Sequence, residues 1–348
     1  MTLYNSILAA TDFSVDGNNA VRRAALLAHE HGARLHILHV LKAAGSRPLR
    51  EWLSPTIDID LRAAQARAAL RRVALEIAGA YDVTATVEVA VGDALTTLMQ
   101  ASERADLVVI GRRGHSRLET LLIGKTADRM LRTCRCPVLV VKKAGDAPYR
   151  QVLMPVDFTD SSDTAVQFAA RLVPGARMHV FHATDSHMES ILRMSDVAES
   201  IIGDLRAREE AGTSARMRRR LARLGLDSTR MSFSVGRAPA DLATLRRAQA
   251  LGTDLIVAGK QGRSTLGGFL LGSVSRRLLS GSECDMLIVP RPRNGSLARA
   301  ASTQTLLVET SAQPDTATPA PAAVAPTWDV SPAHWTQNTT RFLPRRVS

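Results

Sequence analysis

The sequence predicts an α/β protein: two tandem doubly wound domains, each with a five-stranded parallel sheet flanked by helices, plus a disordered C-terminal tail. Three observations lead there. The first is an internal repeat, in which SILAATDFSVDG is answered by QVLMPVDFTDSS, RLHILHV by RMHVFHA, and ADLVVIGRRG by TDLIVAGKQG. The second is an alternation, within each copy, of short Val-, Ile- and Leu-rich runs with helical segments. The runs lack clear polar alternation, which marks strands buried on both faces of a parallel sheet. The third is a change of composition after Arg293. The domains are therefore residues 1–146 and 147–293, with a tail at 294–348.

In the first copy the strand runs are 6–11, 34–40, 84–91, 106–110 and 137–141, with helices at 16–31, 58–80, 93–104 and 125–134 between them. Parallel strands need crossovers, and these helices supply them. The second copy repeats the strands at 151–156, 177–183, 229–235, 254–258 and 285–289, with a short helix at 273–280. The segments 41–80 and 184–225 are the variable ones. Each carries a helix with Leu and Ala at three- and four-residue spacing and Arg between, as expected of an amphipathic surface helix. The tail, with TATPAPAAVAPTWDVSP, has no hydrophobic period and reads as disordered. Trp328, Trp335 and Phe342 are its candidate docking points.

Composition narrows the function classes. Aromatic residues are only 4% of the 348, so the cores are built from Leu, Val, Ile, Ala and Met. No apolar run reaches the roughly 18 residues of a membrane span, and the N-terminus lacks the pattern of a signal peptide. Three cysteines with no CxxC pair point to a reducing compartment, hence the cytoplasm. The net charge of +12 invites a polyanion partner. It is discounted, because the basic residues spread along the chain and only Arg216–Arg220 form a dense cluster.

Ligands of open parallel sheets bind beyond the carboxyl ends of the strands. Asp12 and Asp157 follow the first strand of each copy, Gly111 and Gly259 follow the fourth, and Gly124 and Gly272 precede short helices. The stretch GRRGHSRLETLLIGKT ends like a Walker A loop, but Glu119 stands where that loop needs its first glycine. The glycine spacing is instead Gly111, Gly114, Gly124, repeated as Gly259, Gly262, Gly272. A strand-end glycine turn leading to a glycine-started helix is a plausible polyphosphate cradle, since free N–H groups at a helix start favour anions. Ser273 or Thr126 adds a hydroxyl donor, and Lys125 a positive charge in the first copy. Glycines in one loop are as well read as turn punctuation. The whole constellation occurring twice argues for a site.

These residues carry a resemblance. Each half is similar to a universal stress protein domain, and residues 1–293 resemble a tandem member of that family. The family motif G-2x-G-9x-G-[ST] is matched in full by Gly259, Gly262, Gly272 and Ser273. The first copy has its three glycines, Gly111, Gly114 and Gly124, but Lys125 stands at the hydroxyl position and Thr126 follows. The resemblance implies bound ATP, with or without Mg2+, in which Asp12 and Asp157 contact the nucleoside and Val40 and Ala183 the adenine. It implies glycine loops around the phosphates, and a pseudo-dimer in which the last strands, PVLVV and DMLIV, pair the halves. Some family members bind no nucleotide, and the motif separates the two groups. The second copy keeps the pattern and is the favoured site.

The resulting expectation is a cytoplasmic nucleotide-binding stress-response sensor or regulator. One rival is a slow ATPase, weakened because nothing evident orients water and metal. The other is a nucleotide-free interaction module that uses the Arg-rich helices or the tail to bind RNA, a lipid surface or a protein; a protein partner or a homodimer is open to either reading. His29, His31, His36 and His39 mimic a metal cluster, but their spacing points them apart. Cys136 and Cys284 match between copies and read as small buried hydrophobes, and Cys134 lies too close to Cys136 for an easy disulfide.

Overall fold

A computed structural model describes residues 4–42, 59–113, 123–184, 187–226, 228–261 and 271–291. Gly114, Gly262 and the tail at 294–348 lie outside the described residues. The first half runs β1 (Ser6–Ala10), α1 (Val15–His31), β2 (Arg34–Leu41), α2 (Ile59–Tyr81), β3 (Ala85–Val91), α3 (Ala94–Ser102), β4 (Leu107–Gly111), α4 (Lys125–Thr133) and β5 (Val138–Val141). The second runs β6 (Gln151–Pro155), α5 (Asp160–Leu172), β7 (Arg177–Thr184), α6 (His187–Met194), α7 (Glu199–Arg223), β8 (Met231–Arg237), α8 (Ala240–Leu251), β9 (Leu255–Gly259), α9 (Ser273–Gly281) and β10 (Asp285–Val289). The variable segment of the second half thus holds two helices, α6 before the long α7.

The strands form one ten-stranded sheet in the order β3-β2-β1-β4-β5-β10-β9-β6-β7-β8. Each half is parallel within itself. The halves join where β5 and β10 pair antiparallel, with Leu139 opposite Leu287. That pairing removes an edge from each half-sheet. One face carries a core built with α1, α2, α5 and α7, including Ile7, Val109, Leu139, Val257 and Leu287. The other face packs α3, α4, α8 and α9 over Leu8, Val108, Val140, Ile256 and Met286.

The central strands β4, β5, β9 and β10 are buried on both faces, as their unbroken apolar runs require. The two outermost strands depart from that expectation. β3 alternates between half-buried and exposed positions over most of its length, and β8 is largely half-buried. They end the strand order and have a neighbour on one side only.

Local chemistry sets the ends of the elements. Ser14 caps α1 by accepting the Gly17 N–H, and Thr159 caps α5 by accepting that of Ser162. Gly32 and Gly252 close α1 and α8 in the left-handed region, both at φ 59°. Asp106 and Asp254, each just before the fourth strand of its half, accept two backbone N–H groups at the start of the first strand. Between the halves the buried Asp285 carboxylate accepts from Tyr149 Oη at 2.6 Å and from the Lys142 N–H at 2.8 Å. Arg23 of α1 lies 3.5 Å from the same carboxylate and stacks over the Tyr149 ring at 4.0 Å. No described helix is long and apolar enough to cross a membrane.

Candidate functional site

In each half the strand order reverses between the first strand and the fourth, β1 beside β4 and β6 beside β9, and the carboxyl ends of those strands are where open α/β sheets hold ligands. Asp12 and Asp157 stand at that point. Asp12 Oδ1 accepts from Ser14 N at 3.1 Å and from Ser14 Oγ at 2.5 Å, and Asp157 Oδ1 repeats both contacts with Thr159 at 3.1 and 2.5 Å. The next residue in each half, Phe13 or Phe158, has a positive φ, 65° and 63°. This is a costly conformation for an aromatic residue, and it is held in both halves beside a carboxylate in a crevice. Each ring is seated against a histidine, Phe13 on His39 and Phe158 on His182, with centroids 4.4 Å apart. Those histidines donate from Nδ1 to the carbonyls of Thr11 and Val156.

In the second half the crevice is a cavity of about 270 Å3. Five of the residues singled out in the sequence line it: Asp157, Ala183, Gly259, Gly272 and Ser273. The sequence reading missed Phe181, Thr244 and Gln261, which also line it, as does His182. Phe181 and Thr244 carry no motif. Their alignment with the strand end and the facing helix emerges only from the packing. Phe181 owes its position to Gly236 on β8, because a Cβ there would overlap the ring.

The strand-end glycines serve the chain itself. A Cβ on Gly259 would lie 2.5 Å from Ser161 Oγ and 2.9 Å from its carbonyl oxygen, and one on Gly111 would lie 2.6 Å from the Asp16 carbonyl. Glycine here lets the first turn of α5 or α1 press onto the strand end, whatever occupies the crevice. Gly124 and Gly272 are the N-caps of α4 and α9, neither with a side-chain cap. Their N–H groups bond back to the carbonyls of Arg112 and Lys260, both at 2.9 Å, which closes each loop onto the strand it left. The helix starts then present N–H groups that have no partner inside the helix.

The first half brings Asp12, Val40, Gly111 and Gly124 to the corresponding places, at the ends of β1, β2 and β4 and at the start of α4. Lys125 and Thr126 are exposed on the first turn of α4. Among the described residues, one contact of this half is not made by the Ser161 hydroxyl at the matching place. The Asp16 carboxylate accepts the backbone N–H of Arg113, just beyond β4, at 3.1 Å.

Among the described residues no three His, Cys, Asp or Glu side chains gather to hold a metal. The histidines are engaged singly: His31 with the Leu172 carbonyl, His36 with Thr86 and Glu88, His39 with Thr11. His179 sits between Ser232 and Ser234, and burial with the nearby Arg247 pushes its pKa down to about 4. The Arg216–Arg220 cluster turns inward in part. Arg216 stacks over Phe158, Arg218 over Phe233, and Arg220 binds Asp163 at 2.6 Å.

The sequence profile of the universal stress protein family matches residues 3–142 and again 148–290. A universal stress protein of Mycolicibacterium smegmatis is 27% identical over 300 residues, covering 82% of this chain and 97% of its own. The solved universal stress protein of Archaeoglobus fulgidus superposes with a TM-score of 0.60 at 20% identity, over 83% of this chain and 99% of its own. One from Pseudomonas aeruginosa gives 0.57 at 22%, over 83% and 94%.

Proposed function

The chain belongs to the universal stress protein family as a tandem member, and on that premise we propose that its second half binds an adenine nucleotide, ATP first among them, as a stress-response sensor. The observation that carries this is the single cavity shared by Asp157, Ala183, Gly259, Gly272 and Ser273. Its volume, about 270 Å3, lies near the small end of ligand pockets, which run roughly 300–1,000 Å3. A base and ribose fill it, and the phosphates continue outward over the start of α9. Ala183 and Phe181 offer an apolar floor for the base. Asp157 accepts from a ribose hydroxyl. The N–H groups after Gly272 and the Ser273 hydroxyl meet the phosphate charge. Mg2+, if bound with the nucleotide, would offset the phosphate charge. The three free thiols support a reducing compartment, the cytoplasm.

Occupancy is the signal in this reading. The nucleotide favours whichever arrangement of the loop and of α7 its contacts stabilise, and a partner reads that surface. The engaged arginines of α7 argue against a polyanion as that partner. Isothermal titration with ATP, ADP and AMP tests the proposal. Binding to the full chain is expected, with loss in Gly272→Val and at least roughly tenfold weakening in Asp157→Asn. No heat from any of the three, on folded protein, overturns it.

A further inference from the structure

The two halves are copies, yet the charges around their strand ends differ: Lys125 and Arg113 stand where the second half has Ser273 and Gln261, and one carboxylate of the first half has no acidic match. The first turn of α1 carries Asp16, and the matching place in α5 is Ser161. Asp16 extends to the strand-end loop, where its Oδ2 accepts the Arg113 N–H at 3.1 Å. Ser161 is fully buried beneath Gly259, with its hydroxyl 2.5 Å from where a Cβ on that glycine would stand. The carboxylate in the first half therefore has a neutral counterpart in the second.

We infer that Asp16 acts as a resident anion in the first half and keeps nucleotide phosphates out of it. The inference rests on the proposed nucleotide site of the second half and adds which half is used. Its physical basis is twofold. A backbone N–H at the loop entrance is already satisfied by a carboxylate, so a phosphate arriving there gains nothing from it. The carboxylate also repels a polyphosphate within a partly buried crevice, where screening is weak. Gly124 with an uncapped helix start, the exposed Lys125 and the neighbouring Arg112 and Arg113 remain, but the N–H at the loop entrance is held by the carboxylate. Gly17 fits the same picture: a Cβ there would lie 2.9 Å from Asp12 Oδ1, so the first half also draws its other carboxylate tightly onto α1. Tandem duplication has thus left one receptive crevice and one closed by its own side chain.

The test is nucleotide stoichiometry on the full chain, titrated with ATP after bound ligand is stripped. Wild type binds one ATP. Asp16→Asn removes the charge and keeps an oxygen for the Arg113 N–H, and Asp16→Ser copies the second half. Each is expected to bind two ATP, and Asp16→Asn combined with Gly272→Val is expected to bind one where Gly272→Val alone binds none. A wild type that binds two, or folded Asp16 variants that still bind only one, overturns the inference while the second site stands. A wild type and variants that bind none overturn the underlying site reading itself. Should Asp16→Ser lose its melting transition, Asp16→Asn alone decides the matter.

Discussion

The ammonium of Lys142, one residue beyond β5, lies 2.8 Å from the carbonyl oxygens of both Leu279 and Ser282, at the end of α9 in the opposite half. Lys260, beyond β9, returns the favour by donating to the Cys134 carbonyl at the end of α4, at 2.9 Å. Each half thus caps the carboxyl end of the helix that begins at the other half's glycine. The two candidate sites are mechanically tied through these helices.

Burial pushes the Lys142 pKa down to about 8. A lysine whose folded pKa lies below its unfolded value binds its proton less tightly when folded. Between about pH 8 and the unfolded value the unfolded chain holds more protons, so stability rises with pH. Lys142→Met should destabilise by about 1–3 kcal/mol at neutral pH, because three carbonyl and hydroxyl acceptors lose their donor. The gap to wild type should widen as pH rises from 7.5 to 10, read by urea midpoints. A constant gap would refute the assigned shift.

The Tyr149 hydroxyl donates to Asp285, a carboxylate that is 1% exposed and lies 3.5 Å from Arg23. Tyr149→Phe removes one donor and leaves Arg23 and two N–H groups. The expected cost is about 1–3 kcal/mol, seen as a lower melting temperature with one cooperative transition. Separation into two transitions would show that this network holds the halves together rather than merely supporting them.

Gly259→Ala should unfold or strongly destabilise the chain, by about 2 kcal/mol or more, since its Cβ meets the Ser161 backbone at 2.9 Å. The new contact is with the polypeptide, so added nucleotide should not rescue it fully. A near-normal melting temperature would contradict the packing described.

Gly236→Ala acts on the ligand instead. Its methyl group displaces the Phe181 ring, and the ring's free side is the cavity. Nucleotide affinity should fall about tenfold, with a stability loss of only about 1–3 kcal/mol. Unchanged affinity would remove Phe181 from the floor of the site.

Much of this was legible in the sequence because duplication makes signals redundant. Asp12 with Asp157, and Gly124 with Gly272, occupy equivalent places in two strand-helix patterns, and the structure sets each pair at the same strand end or helix start. The role of Gly111 and Gly259 was legible only as a position. That they make room for their own helix starts needed three dimensions. The incomplete burial of β3 and β8 is not legible, because an apolar run does not say which strand ends the sheet. Lys142, Lys260, Asp285 and Asp16 act across chain separations of 97 to 143 residues, and no local pattern marks them.

The most direct measurement is the identity of what the full chain carries when purified. The freshly isolated protein is denatured, and its released small molecules are resolved by chromatography and mass spectrometry. The account predicts an adenine nucleotide close to one per chain, absent from Gly272→Val and retained in Gly124→Val. An empty wild-type protein that also ignores added ATP, or nucleotide lost with Gly124→Val and kept with Gly272→Val, would contradict it.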